Sequence, residues 1–404
     1  MSAMSVIPKI AGLAFLQNQG LRVPRYRPLA LELEQGDLLN NTQLRRAVKE
    51  LGMHPNGLSV RSASSLEDHT EVSNAGRFRS FNSLANESSI ARVARAIVRD
   101  HYSKSNQTCH IIIQQTIASL VSGVTFADRT GSLSEWFFGC CNNVVDACVE
   151  PYRLISRGNN LAIPPTSSVP SVFSISRSLV ENSQRSAPGQ SLIVSETEFP
   201  EQCRLLLRPQ GIREFLVYGY PRSSISPRFL DVIRKWVREI VEKTVSFSDQ
   251  GIDIEWGIDK HMRGWVFQIR PMTRSISKLT GHRGTPENIE SADSILIGVS
   301  AGSTKKVQGK VALLEEGQGR CAKSGSIAGN ILSLWEGSVL DYEAIKIAVG
   351  VICARGGLLS HLAIACRELS KLCVVGVGQL IPSGSIAELD GANGVIKIRT
   401  EQLR

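Results

Sequence analysis

At 404 residues the chain is long enough for two or three domains, each with its own hydrophobic core. Hydrophobic residues at 42% and charged residues at 21% are ordinary for a soluble globular protein. The formal net charge of +9 favours an anionic ligand such as a nucleotide. Because no block of Lys and Arg with interleaved aromatic residues occurs, nucleic-acid binding is a weak alternative and we expect no such partner.

The cellular compartment is inferred from what the sequence lacks. Residues 1–10 do not resemble a secretion signal, and no run of ~18 apolar residues occurs, so we expect no membrane span. The nine cysteines lack CxxC pairs and metal-ligand spacing. An odd number of cysteines without a secretion signal is typical of reduced thiols, which predicts a cytoplasmic protein.

The first elements of the chain combine apolar segments with single basic residues. Residues 8–16 predict a short helix that carries Lys9 in its first turn. Residues 58–82 predict a strand, with Arg61 on it, that runs into a serine-rich and partly acidic loop. Such a loop can close over phosphates with backbone and hydroxyl donors, although most loops of this composition are solvated connectors.

The middle of the chain alternates clear and weak signals. Residues 91–103 predict a basic amphipathic helix and residues 109–115 an apolar strand. The span 132–226 is the least informative, and its Pro/Ser-rich segment 163–170 predicts a loop. Residues 227–245 have apolar positions at helical spacing and a proline at the start, which predicts a helix packed on the core.

Residues 251–273 predict a β-hairpin, because apolar and polar residues alternate on either side of a turn at 262–264. We expect Glu255, Gln268 and Arg270 to share one face of the two strands. A carboxylate and an amide oxygen there could hold magnesium, and the arginine could bind a phosphate. Without further evidence, polar residues on the solvent side of a hairpin are the commoner explanation.

The remainder predicts a linker and a second, strand-rich unit. Residues 275–293 are polar and contain glycine and proline, as linkers do. Strands are predicted at 295–299, 310–314 and 331–335, and a closing β-hairpin at 384–398.

One stretch of this unit carries the strongest chemical signal. A buried strand at 349–353 leads through a turn at Gly356 and Gly357 into a short helix whose first turn carries Ser360 and His361. The positive end of a helix attracts phosphate and disfavours the imidazolium. A neutral imidazole there could accept a phosphoryl group, although a lone histidine at such a site is more often a cap or a core residue.

This stretch resembles the phosphohistidine signature of the swivelling domain in the phosphoenolpyruvate synthase and pyruvate phosphate dikinase family. The matching positions are Gly356, Gly357, Ser360, His361, Ala363, Ile364, Arg367, Glu368 and Leu369. Earlier segments are similar to the family's nucleotide-binding motifs. The resemblance assigns Lys9, Arg61 and Arg270 to ATP phosphates, and Glu255 and Gln268 to the metal that accompanies the nucleotide.

The chain departs from the family pattern at several positions. Cys353 stands where the family has a threonine, and Pro8 and Ile10 replace the glycines beside the ATP lysine. The segment Gly139–Ala147 has no glutamate where the family's Gly-Leu-Gly-Glu segment places one. Asn142, Asn143 and Asp146 are the polar residues that could take its place.

The resemblance implies an α/β fold of the α+β kind with two modules. These are an ATP-grasp-like nucleotide-binding domain at 1–275 and a swivelling β/β/α phosphohistidine domain at 294–404, joined by a linker at 276–293. It implies a dikinase-type phosphotransferase that uses ATP and Mg²⁺, with His361 as the catalytic residue that carries phosphate to a small-molecule acceptor. No pyruvate-binding barrel is recognised.

Two alternatives stay open. In one, the chain is a phosphocarrier that delivers phosphate to a partner protein bearing the acceptor site. In the other, it is a degenerate nucleotide-binding relative that has lost catalysis, as Cys353 and the missing glutamate would suggest.

Overall fold

A computed structural model describes the protein over most of its length. The described residues are 7–34, 37–38, 41–63, 68–69, 72–73, 80–102, 109–147, 149, 151–157, 160–162, 227–272, 294–313, 327–337 and 342–399. The predicted linker at 276–293, the loop at 163–170 and most of the serine-rich loop lie outside them. The domain boundaries therefore stay a prediction.

The N-terminal module consists of antiparallel sheets flanked by helices. Its helices are α1 (Pro8–Asn18), α2 (Asn41–Leu51), α3 (Glu87–Tyr102), the short α4 (Asn142–Val145) and α5 (Pro227–Thr244), which a 3-10 turn at Val245–Phe247 follows. Its strands are β1 (Tyr26–Leu31), β2 (Leu33–Glu34), β3 (Asp37–Leu38), β4 (Leu58–Ser62), β5 (Asp68–His69), β6 (Val72–Ser73), β7 (Ser80–Leu84), β8 (Cys109–Gln115), β9 (Ser119–Asp128), β10 (Gly131–Phe138), β11 (Tyr152–Arg157), β12 (Asn160–Ala162), β13 (Ile252–Asp259) and β14 (Gly264–Pro271). The predicted helices and the hairpin are confirmed within a few residues.

Two sheets form the body of this module. One has the order β1-β8-β4-β7 and the other the order β12-β11-β10-β9-β13-β14, with antiparallel neighbours throughout. Apolar residues of α2 and α3 share a buried cluster with the first sheet. The apolar side of α5 is buried in the same cluster as the second sheet. The stripe predicted from helical spacing is thus the side that packs.

The C-terminal module is built on one mixed sheet. Its elements are β15 (Ser294–Ile297), β16 (Val299–Ser300), β17 (Lys306–Leu313), β18 (Ile331–Leu334), α6 (Tyr342–Ile347), β19 (Gly350–Cys353), α7 (His361–Glu368), β20 (Leu372–Val375), β21 (Ile386–Asp390) and β22 (Val395–Arg399). The strand order is β15-β22-β21-β17-β18-β19-β20-β16, with parallel pairing from β17 to β20. The loop between β19 and α7 therefore lies at the carboxyl end of a central parallel strand, where α/β sheets commonly bind ligands.

The two modules share one buried hydrophobic cluster, which includes Phe137 and Val144 of the first module and Leu358 and Leu359 of the second. None of the helices in the described ranges is long and apolar enough to cross a membrane.

The contact of α5 with the hairpin gives a test of the fold. A Cβ atom at Gly264 would lie well inside van der Waals contact with the Trp236 ring. We expect Gly264→Ala to lower the free energy of unfolding by about 1–3 kcal/mol, the usual cost of overpacking, as measured by urea denaturation. Gly309→Ala is the matched control, because its Cβ would first meet Ile331 at an ordinary 3.5 Å. Equal stability of both variants would contradict the packing.

Candidate active site

Helix α1 brings Lys9 to the end of strand β4. Gly12 permits this, because a Cβ atom there would lie only 2.7 Å from the carbonyl oxygen of Ile269 in β14. The helix therefore lies directly on the hairpin. Lys9 Nζ donates a hydrogen bond of 3.1 Å to the carbonyl oxygen of Ser62, the neighbour of Arg61.

The register of the hairpin places four polar side chains on one face. Glu255 lies opposite Gln268, and Asp253 lies opposite Arg270. Alternate residues of a strand point to the same side. The shared face predicted for Glu255, Gln268 and Arg270 is thus confirmed, and Asp253 joins it.

Arg61 connects the two sheets at this face. Its Nη1 donates to Glu255 Oε2 at 3.0 Å and to Gln268 Oε1 at 3.5 Å. The Arg61 and Glu255 side chains are only 11% and 14% exposed. Two oxygen atoms from neighbouring strands therefore converge on one cationic donor.

Arg270 is paired with Asp253, a residue to which the sequence analysis assigned no role. Arg270 Nε donates to Asp253 Oδ2 at 2.6 Å, and both side chains are nearly buried. The pair fixes the guanidinium next to the oxygens of Glu255 and Gln268. The alternation of Asp253 with Glu255 was the signal that could have identified it.

The pKa values of the two acids on the hairpin are shifted in opposite directions. Burial raises the pKa of Asp253, and the charge of Arg270 offsets this only in part. Burial would also raise the pKa of Glu255, but the charges of Arg61, Arg270 and His361 together hold it below its usual value. Glu255 is therefore the carboxylate that stays ionised most readily.

The donor set at this face fits the magnesium that the resemblance implies. Mg²⁺ prefers oxygen ligands and commonly binds through one or two carboxylates together with substrate phosphates. Glu255 and Gln268 offer a carboxylate and an amide oxygen that already point towards a shared cation, Arg61. No three His, Cys, Asp or Glu side chains form a metal-binding group within the described residues.

The histidine loop begins after β19 and ends at the first turn of α7. Gly356 has a φ of +95°, which a residue with a side chain rarely adopts. Ser360 caps α7, because its hydroxyl accepts a hydrogen bond of 3.3 Å from the N–H of Ala363. His361 is the first residue of the helix, as predicted, and its side chain is 17% exposed.

A chain of polar side chains from the first module reaches the imidazole. Asn82 Nδ2 donates to Asn142 Oδ1. Asn142 Nδ2 in turn donates to Asp146 Oδ2 at 3.0 Å, and Asp146 Oδ1 lies 3.2 Å from Nδ1 of His361. Of the three residues considered as substitutes for the family glutamate, Asp146 is the one beside His361, and Asn142 orients it.

His361 lies at the same site as the hairpin acids. A positive charge on its ring lowers the pKa values of both Asp253 and Glu255. The structure therefore places His361 close enough to Asp253 and Glu255 to interact with them electrostatically. The catalytic and binding roles of the predicted site residues stay predictions.

A second acid contacts the histidine loop. Glu135, fully buried in β10, accepts hydrogen bonds from the backbone N–H groups of Leu358 at 2.9 Å and Leu359 at 2.8 Å. Arg153 Nε donates to it at 2.7 Å. Sequence reasoning missed Glu135; its signal was a lone carboxylate within the largely apolar run of β10.

The cysteine that departs from the family pattern is directed into the fold. Cys353 is fully buried at the end of β19, and its Sγ donates to the carbonyl oxygen of Trp335 at 3.8 Å.

Comparison with known proteins agrees with this arrangement of two modules. Residues 39–290 match the family model "Pyruvate phosphate dikinase, AMP/ATP-binding domain", which is more than half of the chain. The chain belongs to the phosphoenolpyruvate synthase and pyruvate phosphate dikinase family. Residues 328–394 match the mobile domain of phosphoenolpyruvate-utilising enzymes. The predicted family and the α/β fold class are thereby confirmed, and the match to an AMP/ATP-binding domain agrees with the predicted ATP.

Curated relatives of this family cover the chain to different extents. Phosphoenolpyruvate synthase of Aeropyrum pernix is 24% identical over 407 residues, which cover 89% of this chain and 48% of that protein. Phosphoenolpyruvate synthase of Pyrococcus furiosus is 28% identical over 148 residues, or 36% of this chain and 17% of that protein. The chain thus spans about half the length of the first relative.

Among solved structures, an L-amino acid ligase from Bacillus licheniformis is similar to part of the chain. The alignment covers 67% of this chain and 43% of the ligase at 11% sequence identity, with a TM-score of 0.30.

The lowered pKa of Glu255 predicts an acid-dependent contribution to stability. Because its pKa is lower in the folded state than the usual 4.5, the ion pair with Arg61 contributes fully above the unfolded value and is lost as the pH falls through the folded value. Glu255→Gln should therefore be less stable than the wild type at pH 7, and this difference should shrink towards zero in acid. Urea denaturation from pH 7 to pH 3 measures it.

The control for this experiment is Glu239→Gln, in an exposed pair with Lys243 on α5. We expect little difference from the wild type at any pH, because exposed pairs contribute about 0.2–1 kcal/mol. A Glu255→Gln deficit that stayed constant down to pH 3 would contradict the assigned direction.

Proposed function

We propose that the chain is a phosphotransferase in which His361 takes a phosphoryl group from magnesium-ATP and passes it to a small-molecule acceptor. The observation that carries the proposal is the position of the His361 ring. It is held at 3.2 Å by Asp146 of the nucleotide-binding module, within electrostatic reach of Glu255. A phosphoryl carrier must be at the nucleotide to be charged.

The basic residues of the site provide the electrostatic part of the mechanism. Lys9, Arg61 and Arg270 bind the phosphates, whose negative charge attracts them. Glu255 and Gln268 would bind Mg²⁺ together with the nucleotide, and the ion would neutralise negative charge on the phosphate oxygens. Such transfers depend mainly on positioning and charge stabilisation, which agrees with a site rich in cations.

The polar chain that ends at Asp146 selects the reactive nitrogen of His361. A carboxylate at Nδ1 favours the tautomer with its proton there, which leaves the lone pair on Nε2. Nε2 forms a bond to the β-phosphorus as the bond between that phosphorus and the AMP oxygen breaks. Hydrolysis, which consumes one water, then releases the terminal phosphate, and one phosphoryl group remains on Nε2 for the acceptor.

Transfer to the acceptor requires the histidine module to move. We propose that residues 276–293 are the linker that permits the movement, between a nucleotide domain at 1–275 and a phosphohistidine domain at 294–404.

The six cysteines of the described residues are free thiols, which supports a reducing compartment such as the cytoplasm.

The phosphocarrier alternative differs from the proposal in the location of the acceptor site. In it, the acceptor site lies on a partner protein, and the adduct on His361 is discharged only when that protein is present. The degenerate alternative rests on Cys353 and the missing family glutamate, and it predicts nucleotide binding without transfer.

The central prediction concerns the phosphorylated intermediate. Incubation with magnesium-ATP should add the mass of one phosphoryl group to the intact protein and convert ATP to AMP. His361→Ala should abolish both, whereas His261→Ala, at an exposed position in the hairpin turn, should abolish neither. Intact-mass spectrometry and nucleotide chromatography make the measurements.

The same experiment separates the alternatives. Turnover with a small molecule supports the enzyme, and an adduct that discharges only when a second protein is added supports the carrier. An adduct that survives His361→Ala, or nucleotide binding with no adduct, contradicts the proposal.

The tautomer argument predicts an unusual order of variants at Asp146. Asn142 Nδ2 donates to Asp146 Oδ2, so an asparagine at 146 would turn its oxygen to Asn142 and its NH₂ group to Nδ1 of His361. Because the NH₂ group donates to Nδ1, it favours the histidine tautomer with the proton on Nε2. A protonated Nε2 has no free lone pair and is not nucleophilic. We expect Asp146→Asn to slow phosphorylation of His361 more than Asp146→Ala does, by about 10-fold or more (1.4 kcal/mol).

Single-turnover phosphorylation at saturating ATP measures these rates, and calorimetry should find the ATP affinity of both variants unchanged. If Asp146 merely fills space, the isosteric asparagine should be the milder change, and that order would refute the tautomer role.

A further inference from the structure

We propose that Glu135 is a positioning residue that holds the histidine loop against the nucleotide-binding module while His361 is charged. This inference rests on the proposed phosphoryl transfer for its catalytic meaning. The contact itself is a feature of the fold: one carboxylate of β10 accepts the backbone N–H groups of Leu358 and Leu359. We call these two bonds the Glu135 contact.

The chemistry of Glu135 suits reversible recognition of a loop. The two N–H groups that it accepts immediately precede Ser360, the cap of α7, so they belong to the positive end of that helix. Hydrogen bonds to an ionised acceptor are roughly twice as strong as neutral ones. When the loop leaves, Arg153 still pairs with Glu135 Oε1, so the buried carboxylate is not left without a partner.

The glycines of the loop fit the same surface. A Cβ atom at Gly357 would enter van der Waals contact with Glu135 Oε2 and would lie 2.5 Å from Cγ of Pro151. A Cβ atom at Gly356 would lie 2.7 Å from Cβ of Ala147. The three nearest atoms to a Cβ at Gly357 all belong to the first module, and Gly357 does not have a positive φ. Gly357 therefore lacks a side chain because the histidine loop packs directly against the first module at this residue.

Two further bonds bring the loop to the same place. The N–H of Gly356 donates to the carbonyl oxygen of Val149 at 3.1 Å, and His361 contacts Asp146. The Glu135 contact fixes the backbone two and three residues before His361. Loss of this contact should therefore displace the imidazole from the nucleotide without changing the nucleotide site.

The variant Glu135→Gln tests the carboxylate directly. Oε1 accepts hydrogen bonds from both Arg153 Nε and the N–H of Leu358. In the variant, the amide oxygen should therefore take the position of Oε1. The NH₂ group then takes the position of Oε2, where it faces the N–H of Leu359 and cannot accept its hydrogen bond. We expect the Leu359 amide to exchange with deuterium at least about tenfold faster than in the wild type. Hydrogen-exchange mass spectrometry of the full chain without nucleotide measures this, and it does not depend on catalysis.

Gly357→Ala tests the docking surface without altering a charge. It should likewise raise the exchange of the Leu358 and Leu359 amides, and both variants should slow single-turnover phosphorylation of His361 at least about tenfold. Their ATP affinity should stay within twofold of the wild type. Gly309→Ala, in the same module, and Asp249→Asn, in a largely exposed pair with Arg129, are the controls and should change none of these values.

Each outcome decides the inference. Unchanged amide exchange in both variants would show that Glu135 does not hold the loop and would overturn it. Faster exchange with an unchanged phosphorylation rate would reject the positioning role. If the wild type forms no phosphohistidine, the proposed function fails and the catalytic meaning of Glu135 with it, but the exchange result still reports whether the contact exists.

Discussion

Three buried or nearly buried carboxylates, each paired with an arginine, organise the site. Glu255 pairs with Arg61, Asp253 with Arg270 and Glu135 with Arg153. A carboxylate removed from water is costly unless it is paired and hydrogen-bonded. The pairs therefore fix which strands must meet, because a shift of any one strand would leave a charge without its partner.

The pairs differ in what they leave available. Arg270 is bound closely to Asp253 through two of its nitrogen atoms, and this orients its guanidinium. Arg61 instead bridges two oxygens with one nitrogen, at 3.0 and 3.5 Å. Glu135 divides its acceptor capacity between its own module and the histidine loop. The site thus combines one closely bound pair with two pairs that have further hydrogen-bond partners.

The sequence predicted the elements whose signals are local. Helix α5 and the hairpin follow from apolar spacing, and the turn before α7 follows from Gly356 and Gly357. Contacts between distant segments could not be read in this way: Glu135 meets Leu358 across 223 residues, and Asp146 meets His361 across 215. The spacing of apolar residues within one segment carries no information on which acid will contact which distant loop. The family resemblance supplied Arg61 and Glu255 as partners of one site, but it gave no role to Asp253 or Glu135.

Asn142 illustrates why departure from a motif is not by itself loss of function. An amide in place of a carboxylate removes a negative charge, yet it provides a donor, and that donor binds Asp146. The carboxylate beside His361 is thereby supplied one turn later in the chain, at a residue that the motif does not specify. Because Asn82 fixes the orientation of the Asn142 amide, the donor cannot rotate away without losing a second bond. The arrangement holds an acid at Nδ1 of His361, which is the orientation that the proposed phosphoryl transfer requires.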